Sequence, residues 1–144
     1  MTLDDEIKIL IAGLPNPPEI IDKWEEVADL LSGMFEWIGS KIDWRKAIEH
    51  SYQRLPNDKS VWPSLVVGFI NENNLTHCSK EIFYINDSSL DYALKITADE
   101  FNSMLALLIE NVPQHHYFFD VKTRWCLSIT SEGYMDLGFS AIPK

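Results

Sequence analysis

The chain has 144 residues, 46% hydrophobic and 12% aromatic, enough to build one compact core over residues 1–144 without disulfides or structural metal. Twenty-two acidic residues against twelve basic ones leave a formal charge of −10, so the mean field repels phosphate backbones and anionic lipid; neither direct nucleic-acid binding nor membrane binding is expected. The apolar stretch from Ile7 to Leu14, interrupted by Lys8, falls well short of the ~18 to 20 residues that span a bilayer. The acidic start Met1-Thr2-Leu3-Asp4-Asp5-Glu6 is not the opening of a secretory signal, and a cytoplasmic location is expected.

Pro17-Pro18-Glu19 opens a predicted helix. Ile20, Trp24, Val27, Leu31, Phe35 and Ile38 recur behind it at three- and four-residue spacing, to a stop near Gly39. Its outer side would carry Asp22, Glu25, Glu26, Asp29 and Glu36, with Trp37 beside them and Trp24 on the apolar stripe. A second helix is predicted from an Asp43 cap through Trp44, Ala47, Ile48, Tyr52 and Leu55, before Pro56-Asn57-Asp58. Trp44 would again face the core. Pro63 suits the start of a short helix over the apolar run 65–70, which Asn71-Glu72-Asn73-Asn74 would end.

Beyond this point the texture turns to strands. Residues 81–85 and 92–96, separated by Asn86-Asp87-Ser88-Ser89, read as a hairpin. Thr97-Ala98-Asp99-Glu100 matches a capping box ahead of a helix that buries Phe101, Met104, Leu105, Leu108 and Val112 and that Pro113 closes. Three strands follow, 117–122, 125–130 and 134–140, the last two joined by Ser131-Glu132-Gly133 as an antiparallel hairpin. In the middle one, Trp125, Leu127 and Ile129 alternate with Cys126, Ser128 and Thr130, as if one face were less buried. The expected class is α+β: a helical N-terminal half packed with an antiparallel sheet and one further helix.

Candidate chemistry is sparse. His115 and His116 are adjacent and would point to opposite faces of a strand, and His77-Cys78 would need distant ligands such as Cys126 to hold zinc, so no metal is expected. There is no nucleophile elbow and no phosphate-binding glycine loop, and no cofactor is expected. Cys78 and Cys126 read as reduced, buried thiols. A dispersed acid–base site from His115, Asp120 and Glu132 defines an enzyme reading, which requires these groups to converge in one cleft; Asp120 could also work with Asp136.

Charge gives the leading expectation. Residues 1–36 hold nine carboxylates against Lys8 and Lys23, and an acidic face can steer onto a basic cleft and exclude its phosphate substrate, while also keeping the chain soluble. The run Cys126-Leu127-Ser128-Ile129-Thr130-Ser131-Glu132-Gly133-Tyr134-Met135-Asp136-Leu137-Gly138-Phe139, with the size and the acidic start, resembles small acidic immunity proteins of bacterial polymorphic and contact-dependent growth-inhibition toxin systems. The resemblance implies a cytoplasmic, non-catalytic protein that binds a cognate toxin domain, basic and nuclease-like, and occludes its active-site cleft. The contact face expected is Asp22, Glu25, Glu26, Asp29 and Glu36 with Trp37 as anchor, or else Glu132, Tyr134 and Asp136 of the last hairpin. A regulatory adaptor would need only the same surface.

Overall fold

The computed structural model describes residues 2–73, 79–86, 90–113 and 115–143. His77-Cys78 and residues 87–89 of the first hairpin's turn lie outside them. The elements are α1 (Leu3–Ala12), β1 (Glu19–Ile21), α2 (Trp24–Met34), β2 (Trp37–Ile38), β3 (Lys41–Ile42), β4 (Ile48–Arg54), α3 (Trp62–Glu72), β5 (Glu81–Asn86), β6 (Ala93–Thr97), α4 (Phe101–Asn111), β7 (His116–Asp120), β8 (Trp125–Ile129) and β9 (Tyr134–Phe139). The class is α+β. Seven strands form one antiparallel sheet in the order β1-β6-β5-β7-β8-β9-β4, and β2 pairs with β3 as a separate hairpin.

The sheet carries a core on each face. On one side Ile7 and Ile11 of α1, Val66 and Ile70 of α3, and Phe101, Leu105 and Leu108 of α4 pack on Ile82, Leu94, Phe118, Leu127 and Leu137. On the other, Val27, Leu31 and Met34 of α2, with Phe35 and Ile42, cover Ala93, Phe119 and Cys126. Both faces of β8 are therefore buried, which corrects the expectation of a less buried side. Burial pushes the Cys126 thiol well up, so it is an inert core group.

Strand hairpin β5–β6, helices α3 and α4, and strands β7 to β9 lie where the sequence places them. Two expectations fail in the first half, and one helix there is unanticipated. The helix expected from Pro17 starts only at Trp24: Ile20 lies in β1, paired with Leu94, and Ile38 in β2, turned back at Gly39 with φ +62°. The helix expected from Asp43 is a single 3-10 turn at Trp44–Lys46 followed by β4. Asp43 still caps that turn, accepting from the Arg45 N–H at 3.2 Å. Helix α1 was not expected, yet Thr2 and Asp5 form a capping box, with the Asp5 N–H donating to Thr2 Oγ1 at 3.3 Å. At α4 the expected box is absent: Thr97 makes no cap bond and its hydroxyl oxygen accepts from the Asn16 amide at 3.2 Å.

Inside the larger core, Tyr84 on β5 shares a hydrogen bond with His116 Nδ1 at 2.8 Å. Burial, with smaller contributions from His115 and Lys59, pushes the His116 imidazole from 6.5 down to about 4, so it is neutral in the folded protein. The unfolded chain takes up a proton that the folded one refuses. Stability from this group is thus complete above about pH 6.5 and is lost as the pH falls towards about 4. The loss over that window is roughly 3 kcal/mol, seen in urea unfolding at pH 7 and 4.5. His116→Asn, whose amide can meet the Tyr84 hydroxyl, flattens that part of the pH dependence.

Candidate functional site

The two faces of the sheet are roofed unequally, and among the hollows on the thinly roofed side two share a wall. The first has a volume of about 330 Å³ and lies between the start of α2 and the β2–β3 hairpin, lined by Trp24, Trp37, Ile85, Leu90 and Tyr117. The second, about 160 Å³, lies on the far side of Tyr117, over β8, β9 and β4. Tyr117 lines both.

Of the expected anchors, Trp37 is part-buried against the smaller core, its indole N–H donating to the Ser32 carbonyl at 3.3 Å and its ring centred 6.2 Å from Tyr117. Trp24, expected inside, is 40% exposed. The reason is that α2 begins at this residue, so nothing before it in the helix shields it. Glu25, Glu26 and Asp29 lie on the outward side of α2, opposite Val27, Leu31 and Met34. They and Asp22, which precedes the helix, are exposed and make no ion pair among the described residues. Glu36 lies beyond the helix and is paired with Lys46 at 3.0 Å. The acids at 4–6 belong elsewhere: they sit in the first turn of α1, on the opposite face of the sheet, where the helix dipole favours them. The acid-rich stretch 1–36 is therefore divided between two sides of the molecule.

The second hollow has a floor set by strand register. Tyr117 is opposite Ser128, Ser128 opposite Asp136, and Asp136 opposite Tyr52, so one row crosses β7, β8, β9 and β4. A bulge between Ile48 and Ser51, with Glu49 at φ 52°, places His50 over the same face, and its Nε2 meets Asp136 Oδ1 at 2.7 Å. Burial raises the Asp136 carboxyl, opposed by the His50 bond. Trp44 forms a wall, stacked on His50 with centroids 5.3 Å apart and planes 8° from parallel. Trp44, expected in the core, is only part-buried, because it belongs to a turn laid across the sheet edge. Its ring has room because residue 138 is glycine: a Cβ there would stand 3.0 Å from the indole.

The alternative contact residues end up here: Tyr134 and Asp136 line this hollow, and Glu132 stands exposed at the hairpin tip above it. Thr130, with nearby His115 and Lys41, holds the Glu132 carboxyl below its usual range. His115 also lines the hollow, its Nδ1 accepting from the Ser131 N–H at 3.2 Å, which puts the neutral ring's proton on Nε2. Asp120 does not join them. It lies at the other end of β7, accepting from the Lys122 N–H at 2.8 Å and the Thr123 hydroxyl at 2.7 Å. The trio His115, Asp120 and Glu132 is thus not assembled in one cleft. Sequence reasoning missed His50, Ser128, Tyr52 and Trp44; only the pairing of β4 with β9 brings them together.

Gly138→Ala should lever Trp44 off the sheet and cost about 1 to 3 kcal/mol in urea unfolding. The upfield ring-current shift that Trp44 imposes on the His50 ring protons should vanish in the same variant; its persistence would show that the indole is seated some other way.

Among the described residues, no group of three or more histidines, cysteines or carboxylates is placed to hold a metal ion, and no helix is long and apolar enough to cross a membrane. Comparison of the chain with protein-family models, with curated proteins and with solved structures finds no match.

Proposed function

We propose that the chain is a non-catalytic binding protein that neutralises a cognate toxin domain, a basic nuclease, by covering its active-site cleft with the outward side of α2. One observation carries this reading. Glu25, Glu26 and Asp29 stand exposed without ion-pair partners among the described residues, beside an aromatic hollow at whose mouth Trp24 is 40% exposed.

The two features have different physical roles. Unpaired surface carboxylates are fully hydrated and contribute little to the fold, but they attract a basic surface from a distance and speed encounter. A tryptophan over a concave aromatic lining provides what charge alone lacks, an apolar contact that water leaves on docking. A nuclease cleft is basic because it binds phosphates, so a carboxylate face competes for the same groups. The proposed compartment is the cytoplasm, and the partner is a protein, not nucleic acid or a lipid surface.

The test is co-expression with the product of the gene immediately upstream, scoring growth and co-purification. Rescue of growth with a stable complex supports the reading, and a harmless neighbour that does not bind removes it. In the purified complex, Glu25→Lys with Glu26→Lys should slow association by roughly tenfold at low ionic strength, and the difference should shrink as salt is added. An association rate indifferent to both charge reversal and salt would exclude steering by this face.

A further inference from the structure

The second hollow contains a polar group that the fold itself does not use. Ser128 is 6% exposed, lines the hollow, and has no hydrogen-bond partner for its hydroxyl among the described residues. Next to it across the strand pair, Asp136 spends one carboxylate oxygen on His50 and leaves the other without a hydrogen-bond partner among the described residues. A hydroxyl that can accept or donate and a carboxylate oxygen that can only accept, side by side and open to a cavity that water reaches, are poised to bond with something that enters it.

We propose that this hollow receives an arginine side chain of the bound protein partner, its guanidinium donating to Ser128 Oγ and Asp136 while its plane rests on Tyr52 at the rim. The inference deepens the reading of the chain as a binder of a basic protein and rests on it. Four observations select the occupant. The second Asp136 oxygen requires a donor, the Ser128 hydroxyl oxygen can accept from the same group, and the carboxylate on the floor disfavours an anion. The Tyr134 ring is already engaged, by the Arg54 guanidinium 4.4 Å from its centre and by Tyr52 at 6.4 Å, which shows that this rim accepts such a group and leaves the 52%-exposed Tyr52 ring for a second one. A volume of about 160 Å³ suits one side-chain head rather than a nucleotide. A planar fork of donors can reach two acceptors and stack at once, which a lysine ammonium cannot. The Lys41 ammonium on the rim lies within electrostatic reach of Glu132, which offsets it.

The pocket can be tested without the partner. Blocked arginine (N-acetyl-arginine amide) is titrated into the whole protein and followed by amide shifts in two-dimensional NMR. The expected result is saturable, millimolar binding, with the largest shifts at Ser128, Asp136 and His50. N-acetyl-citrulline amide, the neutral isostere, should bind about tenfold more weakly, and Asp136→Asn, which keeps the size and an acceptor for His50, should weaken the arginine by a similar factor. Ser128→Ala serves as the second variant should Asp136→Asn disturb the strand pair. Glu25→Lys with Glu26→Lys should leave the titration unchanged. Equal binding of citrulline, shifts centred elsewhere, or indifference to both pocket variants would overturn the assignment; tighter binding of free arginine than of the blocked form would point to a metabolite instead of a side chain.

With the partner in hand, Asp136→Asn should speed dissociation of the complex about tenfold and leave association nearly untouched, opposite to the charge reversal on α2. A complex that forms but ignores Asp136→Asn sinks the pocket alone. An absent partner sinks the proposed function, while the arginine titration still decides whether the pocket takes a guanidinium.

Discussion

Everything in this molecule follows from one sheet whose central strands must be dry on both faces. β7 and β8 are buried along their whole length, with Phe118, Leu127 and Trp125 pointing into one core and Phe119 and Cys126 into the other. Strands spaced roughly 4.8 Å apart make a seven-stranded sheet about 29 Å across, and a helix covers about 10 Å of that width. Three helices, α1, α3 and α4, suffice for one face. The opposite face has one helix, a hairpin of two-residue strands and a 3-10 turn. That deficit of cover leaves the two hollows, and it leaves them where strand register, not local sequence, decides which side chains are on view.

The same arithmetic explains which parts of the fold were legible in the sequence. From Glu81 onward each element has a single period and a clear punctuation, and α4 and strands β5 to β9 can be read from residues alone. In the first half the periods coincide. Trp44, Ile48 and Tyr52 are four apart, which is one helix face but also an even number, so the spacing alone does not separate helix from strand; in β4 the bulge then sends Ile48 to the side of Phe139 and Tyr52 to the side of Asp136. Ile20 and Ile38 fall on the phase of α2 by accident of distance, and each belongs to a strand. Two local signals pointed the right way. Ile38-Gly39-Ser40-Lys41 is a two-residue hairpin turn between the short runs Trp37-Ile38 and Lys41-Ile42, and Thr2-Leu3-Asp4-Asp5 is a capping box in front of a periodic run.

The candidate sites were legible only as residue types. Counting carboxylates over 1–36 gives their number but not the side of the sheet they occupy, and the fold sends Asp4 to Glu6 to one face and Glu25, Glu26 and Asp29 to the other. His50 and Asp136 meet across 86 residues of sequence, because a bulge in the edge strand turns the imidazole over β9. No spacing rule reaches that far. Asp120 illustrates the converse: a carboxylate close in sequence to two histidines is spent on the turn between β7 and β8.

On the proposed reading, the unequal roof also divides the work of binding. Carboxylates on the outward side of α2 act through water and are screened by salt, so they govern how fast a basic partner arrives. Ser128 and Asp136 lie at the bottom of a small cavity that water still reaches and that a docked partner would close, where a hydrogen bond is strong and an unmatched acceptor becomes costly, so they govern how long it stays. Tyr117 separates the two hollows by the width of one ring, which places the arrival surface and the retention pocket on one side of the sheet, within the span of an ordinary protein interface. Specificity then needs no catalytic group: a partner with the right charge but no arginine at the second hollow would arrive quickly and leave quickly, because the buried acceptors would lose water and gain nothing in return.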